Sequence, residues 1–195
     1  MASRTYNIPN LLTYARILAV PLIVLCFFIE GQLASSDFAR WTALTLFIIA
    51  SITDFLDGYL ARIWNQTSSI GRMLDPIADK LLVASVLLLM AADGTIAGWS
   101  LWAAITILCR EILVSGLREY LAALKVSVPV TRIAKWKTAL QMIAIAFLLA
   151  GPAGDKFLSY TTELGIALLW IAALLTIYTG YDYFRAGAKH MLDED

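Results

Sequence analysis

Long apolar runs alternate with short polar joints along the whole chain. The runs fall at roughly residues 10–29, 38–62, 73–92, 98–122, 133–150 and 162–184. Each is close to the about 20 residues that cross a bilayer at 1.5 Å rise per residue. The pattern predicts an all-α integral membrane protein of six transmembrane helices, in one domain spanning 1–195. Several runs turn polar toward one end, and the joints at the other end carry turn residues: Gly31, Gly94 and Gly151-Pro152-Ala153-Gly154. The first run lacks the short apolar core and small-residue cleavage site of a signal peptide, so it is expected to stay as a membrane helix. Pro76 has no N–H to donate, so the third helix is expected either to begin there or to kink.

Composition agrees with the pattern. The chain is 60% hydrophobic and 15% charged, against about 25% charge in a soluble domain. Its net charge of zero gives no basic surface for nucleic acid, so none is expected as a partner. Cys26 and Cys109 lie far apart in apolar runs without metal-ligand spacing, and read as small core residues. The single His190 lies in the polar tail.

Charge sets the orientation. Six spans put both termini on one side, and of the 15 Lys and Arg only Arg40 and Lys156 fall near the other. The basic side faces the cytoplasm. Trp41, Trp99 and Trp102 fit an outer aromatic belt, and Trp64 and Trp136 an inner one. Arg40 to Asp54, Asp79 to Asp93, Lys137 to Gly151 and Arg16 to Glu30 each span fourteen residues, or about 21 Å of helix. In a hydrocarbon core about 30 Å thick, Asp54, Asp79, Lys137 and Arg16 share one layer in the inner third. Arg110 and Arg118 lie near it. The expectation is a polar cavity open to the cytoplasm.

The most charged part of that layer is the stretch from residue 54 to 79, with Asp54, Asp57, Asp75 and Asp79. Helical spacing puts Asp54, Asp57, Gly58 and Ala61 on one stripe and Gly71, Asp75 and Asp79 on another. The small residues permit close approach of backbone or ligand. Each aspartate near the bilayer centre costs about 2.5–3.5 kcal/mol on insertion scales. Arg62, Arg72 and Lys80 offset part of this on one reading. On the other, oxygen-only ligands hold two divalent ions, Mg²⁺ or Mn²⁺, a pairing suited to displacement at phosphorus.

The run Asp54-x2-Asp57-Gly58-x2-Ala61-Arg62-x8-Gly71-x3-Asp75-x3-Asp79 resembles the full signature of the CDP-alcohol phosphotransferases, with no departure at its eight positions. The resemblance implies that family's six-helix membrane fold, a homodimer, and a dinuclear metal site. It implies transfer of a phosphatidyl or similar group from a CDP-linked donor to an alcohol, releasing CMP. Asp54, Asp57 and Asp75 would then be metal ligands, with Asp79 the general base and a further ligand. Gly58, Ala61, Arg62 and Gly71 would shape the donor pocket, and Asn10 and Thr13 would lie near the donor head group. Read from the residues alone, Asn10 and Thr13 equally suit helix capping after Pro9.

The resemblance extends to bacterial phosphatidylglycerophosphate synthases. It does so through Asn7-Ile8-Pro9-Asn10-Leu11-Leu12-Thr13-Tyr14-Ala15-Arg16, Arg110-Glu111-Ile112, Ser115-Gly116-Leu117-Arg118-Glu119, and Lys135-Trp136-Lys137-Thr138 with Gln141. It implies CDP-diacylglycerol as donor, sn-glycerol 3-phosphate as acceptor, and a bacterial inner membrane with its lipids as the setting. Residues 142–195 add only an apolar last helix pair. Independently, Arg110, Arg118, Arg132, Lys135 and Lys137 make a basic set suited to an anionic acceptor, because cations at membrane depth face polar cavities or anions. The alternatives are inside-loop charges snorkelling to the surface for Arg132, Lys135 and Lys137, and helix–helix ion pairs for Arg110 with Glu111 and Arg118 with Glu119. Serine, inositol phosphate or phosphatidylglycerol as acceptor remain alternatives, as does a cation transporter built on the aspartates.

Overall fold

The computed structural model describes residues 8–29, 36–63, 69–124 and 132–192, and at 8–9, 29, 36, 55–63, 69–70, 72, 123, 132, 135 and 186–192 the backbone alone. Six helices follow one another: α1 (Ile8–Ile29), α2 (Ser36–Ile63), α3 (Ser69–Ala92), α4 (Ser100–Ala123), α5 (Arg132–Asp155) and α6 (Thr161–Leu192). Each apolar run is thus a helix. Helix α3 begins at Ser69 with Pro76 inside it, so the start at Pro76 is excluded. Among the described residues, α1, α4, α5 and α6 are long and apolar enough to cross a membrane. Helices α2 and α3 carry Asp37, Arg40 and Asp54, and Asp75, Asp79 and Lys80, inside their apolar stretches.

Burial along α1 differs from that of a water-soluble helix. On α1 the buried positions are Asn10, Thr13, Arg16, Ala19 and Ile23, at helical spacing, while Leu18 is 64% and Phe28 73% exposed. Polar groups turned inward and leucines turned outward suit a hydrocarbon surround, where each polar group needs a partner within the protein. Cys109 follows the same rule and is exposed, while Cys26 is half-buried. The expectation that both are core residues therefore fails, since a small apolar side chain is equally at home facing lipid.

The chain forms two compact units, residues 1–95 with 146–162, and residues 96–145 with 163–195. In the first, α1 packs against both α2 and α3. Helix α2 buries Ala39, Ala43, Phe47 and Ala50, and α3 buries Gly71, Ala78, Leu82, Val86 and Met90. Alanine and glycine on these stripes let the helices approach closely. In the second unit, α4 buries Ala103, Ala104, Ile107 and Val114, and α6 buries Leu169, Ala172, Thr176 and Thr179.

The first unit is closed at the end remote from Asp54 by Arg40, 5% exposed. Its guanidinium donates to Asp93 and to Thr95 Oγ1 and lies 5.3 Å from the Phe27 ring centroid. Helix α5 breaks beside it at Gly151, with φ 41° and ψ −131°. A β-carbon at residue 151 would stand 2.7 Å from Arg40 Nη1. Only glycine fits both that conformation and that approach.

Candidate active site

The apolar stripe of α2 runs through Phe47 and Ala50 directly into Asp54, one turn further on. The stripe of α3 runs from Gly71 through Asp75 to Asp79. Packing that buries the stripes therefore brings these carboxylates toward α1. Helix α1 meets them with polar residues. Arg16 Nη1 lies 2.6 Å from Asp54 Oδ1, with the Arg16 side chain wholly buried and that of Asp54 43% exposed. Thr13 Oγ1 donates to Asp75 Oδ1 at 2.6 Å. Thr13 and Arg16 stand one turn apart on α1, so Asp54 and Asp75 meet the same face of that helix, and two carboxylates with one buried arginine leave negative charge for a cation to offset.

These contacts bear on two expectations. The base that offsets Asp54 is Arg16 of α1, while Lys80 turns to the Pro76 carbonyl of its own helix at 3.1 Å. Thr13, expected near a donor head group, donates to Asp75, a contact compatible with that place. Asn10 is buried one turn before Thr13. Asp79 lies half-buried on α3, one turn beyond Asp75. The side chains of Asp57, Gly58, Ala61, Arg62 and Arg72 lie outside the described residues, as does Trp64 entirely. Among the described residues, no three acidic, histidine or cysteine side chains come together as a metal-holding cluster. The donor set fits a hard divalent ion nonetheless, since Asp54 and Asp75 bring adjacent carboxylates from two helices, Asp54 partly open to solvent.

In the second unit the basic set is built into a bonded network. Glu111 accepts from Arg110 Nη1 at 3.2 Å and from Lys137 Nζ. Arg110 Nη2 donates to Thr179 Oγ1 at 2.9 Å, and Thr179 in turn donates to the Leu175 carbonyl at 2.9 Å. Arg118 Nη2 donates to Tyr183 Oη at 3.3 Å. So Arg110 does pair with Glu111, whereas Arg118 reaches α6. Lys137 is buried at 4% exposure, which sets aside a surface-snorkelling role for it. Arg132 and Lys135 fall in α5 with side chains outside the described residues.

Sequence reasoning missed α6, which it took as an apolar helix only. Thr176, Thr179, Gly180 and Tyr183 stand at i, i+3, i+4 and i+7, the spacing of one helical face. That spacing was the available signal.

The comparisons with known proteins bear on this arrangement. Residues 6–178 match the family model for CDP-alcohol phosphatidyltransferases. A protein of Rickettsia bellii is 50% identical over 184 residues, covering 94% of this chain and 97% of its own. One of Cereibacter sphaeroides is 41% identical over 222 residues, covering 97% and 99%. One of Escherichia coli K12 is 40% identical over 191 residues, with the same coverage. All three carry the name CDP-diacylglycerol–glycerol-3-phosphate 3-phosphatidyltransferase. With the signature aspartates carried on α2 and α3, the chain belongs to the CDP-alcohol phosphatidyltransferase family.

Proposed function

We propose that this membrane protein transfers the phosphatidyl group of CDP-diacylglycerol to sn-glycerol 3-phosphate, giving phosphatidylglycerophosphate and CMP. The observation that carries the reading is the placement of Asp54 and Asp75 side by side by α1, in a chain whose near-full-length relatives bear the name of that activity. In the reaction a hydroxyl oxygen of the acceptor bonds to the phosphatidyl phosphorus. The bridging P–O bond of the donor breaks, and CMP leaves with the electron pair. Asp79 takes the proton of the attacking hydroxyl.

The family generally uses divalent metal ions. Asp54, Asp57, Asp75 and Asp79 would hold two of them, Mg²⁺ or Mn²⁺, which when bound stabilise charge on the attacking and leaving oxygens. Arg16 and Thr13 bond to Asp54 and Asp75 and so orient both carboxylates. Gly58, Ala61, Arg62, Gly71 and Asn10 would line the cytidine-diphosphate pocket.

The acceptor's phosphate falls to Arg110, Arg118, Lys137, Arg132 and Lys135. With Glu111 the one anion bonded into this network, Arg110, Arg118 and Lys137 leave an excess of positive charge. A phosphate monoester carries between about 1.5 and 2 negative charges at pH 7. The match favours glycerol 3-phosphate over serine, which has no phosphate, and over phosphatidylglycerol, whose phosphodiester carries a single charge.

The distribution of Lys and Arg supports termini and site toward the cytoplasm, and the family resemblance supports a six-span domain in a bacterial inner membrane. The family resemblance extends to a homodimer. Purified protein with CDP-diacylglycerol, Mg²⁺ and a panel of acceptors at equal concentration tests the function. CMP release is expected with glycerol 3-phosphate, and release with serine or inositol phosphate alone would overturn the choice of acceptor.

A further inference from the structure

We propose that Tyr183 is a positioning residue for the acceptor's phosphate, holding Arg110 and Arg118 together through one aromatic ring. The proposal rests on the assignment of these arginines to the acceptor. The two lie eight residues apart on α4, about 12 Å along its axis. Yet both guanidinium carbons lie within 6 Å of the same ring centroid, Arg110 at 5.9 Å and Arg118 at 5.7 Å. Tyr183 is 5% exposed, so its ring is fixed by packing and shielded from solvent. A desolvated aromatic face attracts a guanidinium more strongly than an exposed one.

The rest of the α6 stripe serves the same end. Thr179 commits its hydroxyl proton to the Leu175 carbonyl and turns its lone pair to Arg110 Nη2. At Gly180 a β-carbon would stand 3.1 Å from Arg110 Cγ and 3.4 Å from its Nε, so the arginine stem lies directly on the helix backbone. Arg110 Nε is buried and has no hydrogen-bond partner among the described residues. Arg110 is thus gripped along its stem and at Nη1 and Nη2, with Nε held against α6 and the Tyr183 ring nearby. Arg110 already pairs with Glu111, and the charge that remains on the two arginines around Tyr183 is left for a further anion to offset. A phosphate monoester is such an anion, and the planar forks of two arginines can each bind its oxygens in pairs.

The test is a kinetic series on the full chain in mixed micelles with Mg²⁺, varying each substrate at saturating levels of the other. Y183L removes the ring, Y183F keeps it, G180A pushes a methyl against Arg110, and R118Q marks the acceptor role itself. Y183L is expected to raise KM for glycerol 3-phosphate on the order of tenfold, and G180A to raise it in the same direction by displacing Arg110. KM for CDP-diacylglycerol should stay within about twofold, and Y183F, which keeps the ring and loses only the 3.3 Å contact from Arg118, should lie closer to the parent than Y183L. A Y183L protein that folds with an unchanged acceptor KM, or with both KM values moved together, overturns the positioning role. If Y183L does not fold, G180A decides by the same two criteria. Should R118Q raise the acceptor KM while Y183L and G180A do not, the acceptor assignment survives and this proposal falls. An acceptor KM indifferent to R118Q removes both.

Discussion

Replacing Thr13 by valine separates two roles for α1. Thr13 is 1% exposed, and its hydroxyl donates to an Asp75 carboxylate oxygen at 2.6 Å. Valine keeps the shape and removes the donor. A hydrogen bond to a charged group is worth about 1.5–3 kcal/mol, which converts to roughly ten- to 150-fold in an equilibrium constant. The independent expectation for a group that orients a metal-binding carboxylate is a loss of about 10–100-fold in metal affinity or activity. The two ranges coincide, so T13V should shift half-activation by Mg²⁺ upward by at least about tenfold. Serine at the same position restores the hydroxyl and should recover most of the loss. Two assays read this: CMP release against Mg²⁺ concentration, and thermal stabilisation of the substrate-free protein by Mn²⁺. Were Thr13 instead a contact to the donor head group, T13V would raise KM for CDP-diacylglycerol and leave both metal titrations in place. That result would refute the positioning argument, as would a serine variant no better than valine.

Asp79→Asn should reduce turnover by about 10²–10⁴-fold, the range of a lost general base, with CDP-diacylglycerol binding retained in equilibrium dialysis. Removal of divalent ions by a chelator should abolish CMP release, and Mg²⁺ or Mn²⁺ alone should restore it. Gly151→Ala forces a β-carbon into positive φ and onto Arg40, at a cost of about 1–3 kcal/mol. It should lower the melting temperature in detergent and leave both KM values near the parent.

The helices and the aspartates were legible because both are local patterns. Run length marks a span, and i, i+3, i+4 spacing puts Asp75 and Asp79 on one face whatever surrounds them. The depth arithmetic placed Arg16 and Asp54 in one layer, and the 2.6 Å contact between them agrees. What one dimension does not contain is which faces meet. Thr13 and Asp75 stand 62 residues apart, and nothing in either stretch names the other, so Thr13 read as a cap or a donor contact. Arg40 read as a marker of the outer side. Its burial against Phe27, Asp93 and Gly151 depends on three segments converging. Helix α6 was the largest omission, for a physical reason. A few threonines, glycines and tyrosines leave a span apolar on average, yet Thr179 and Tyr183 accept from arginines and Gly180 lets one lie close. In a membrane helix the polar residues that matter need not be charged. A hydroxyl or ring buried at helical spacing inside an apolar run is better evidence of a polar neighbour than a charge at its end, which water can satisfy without any partner.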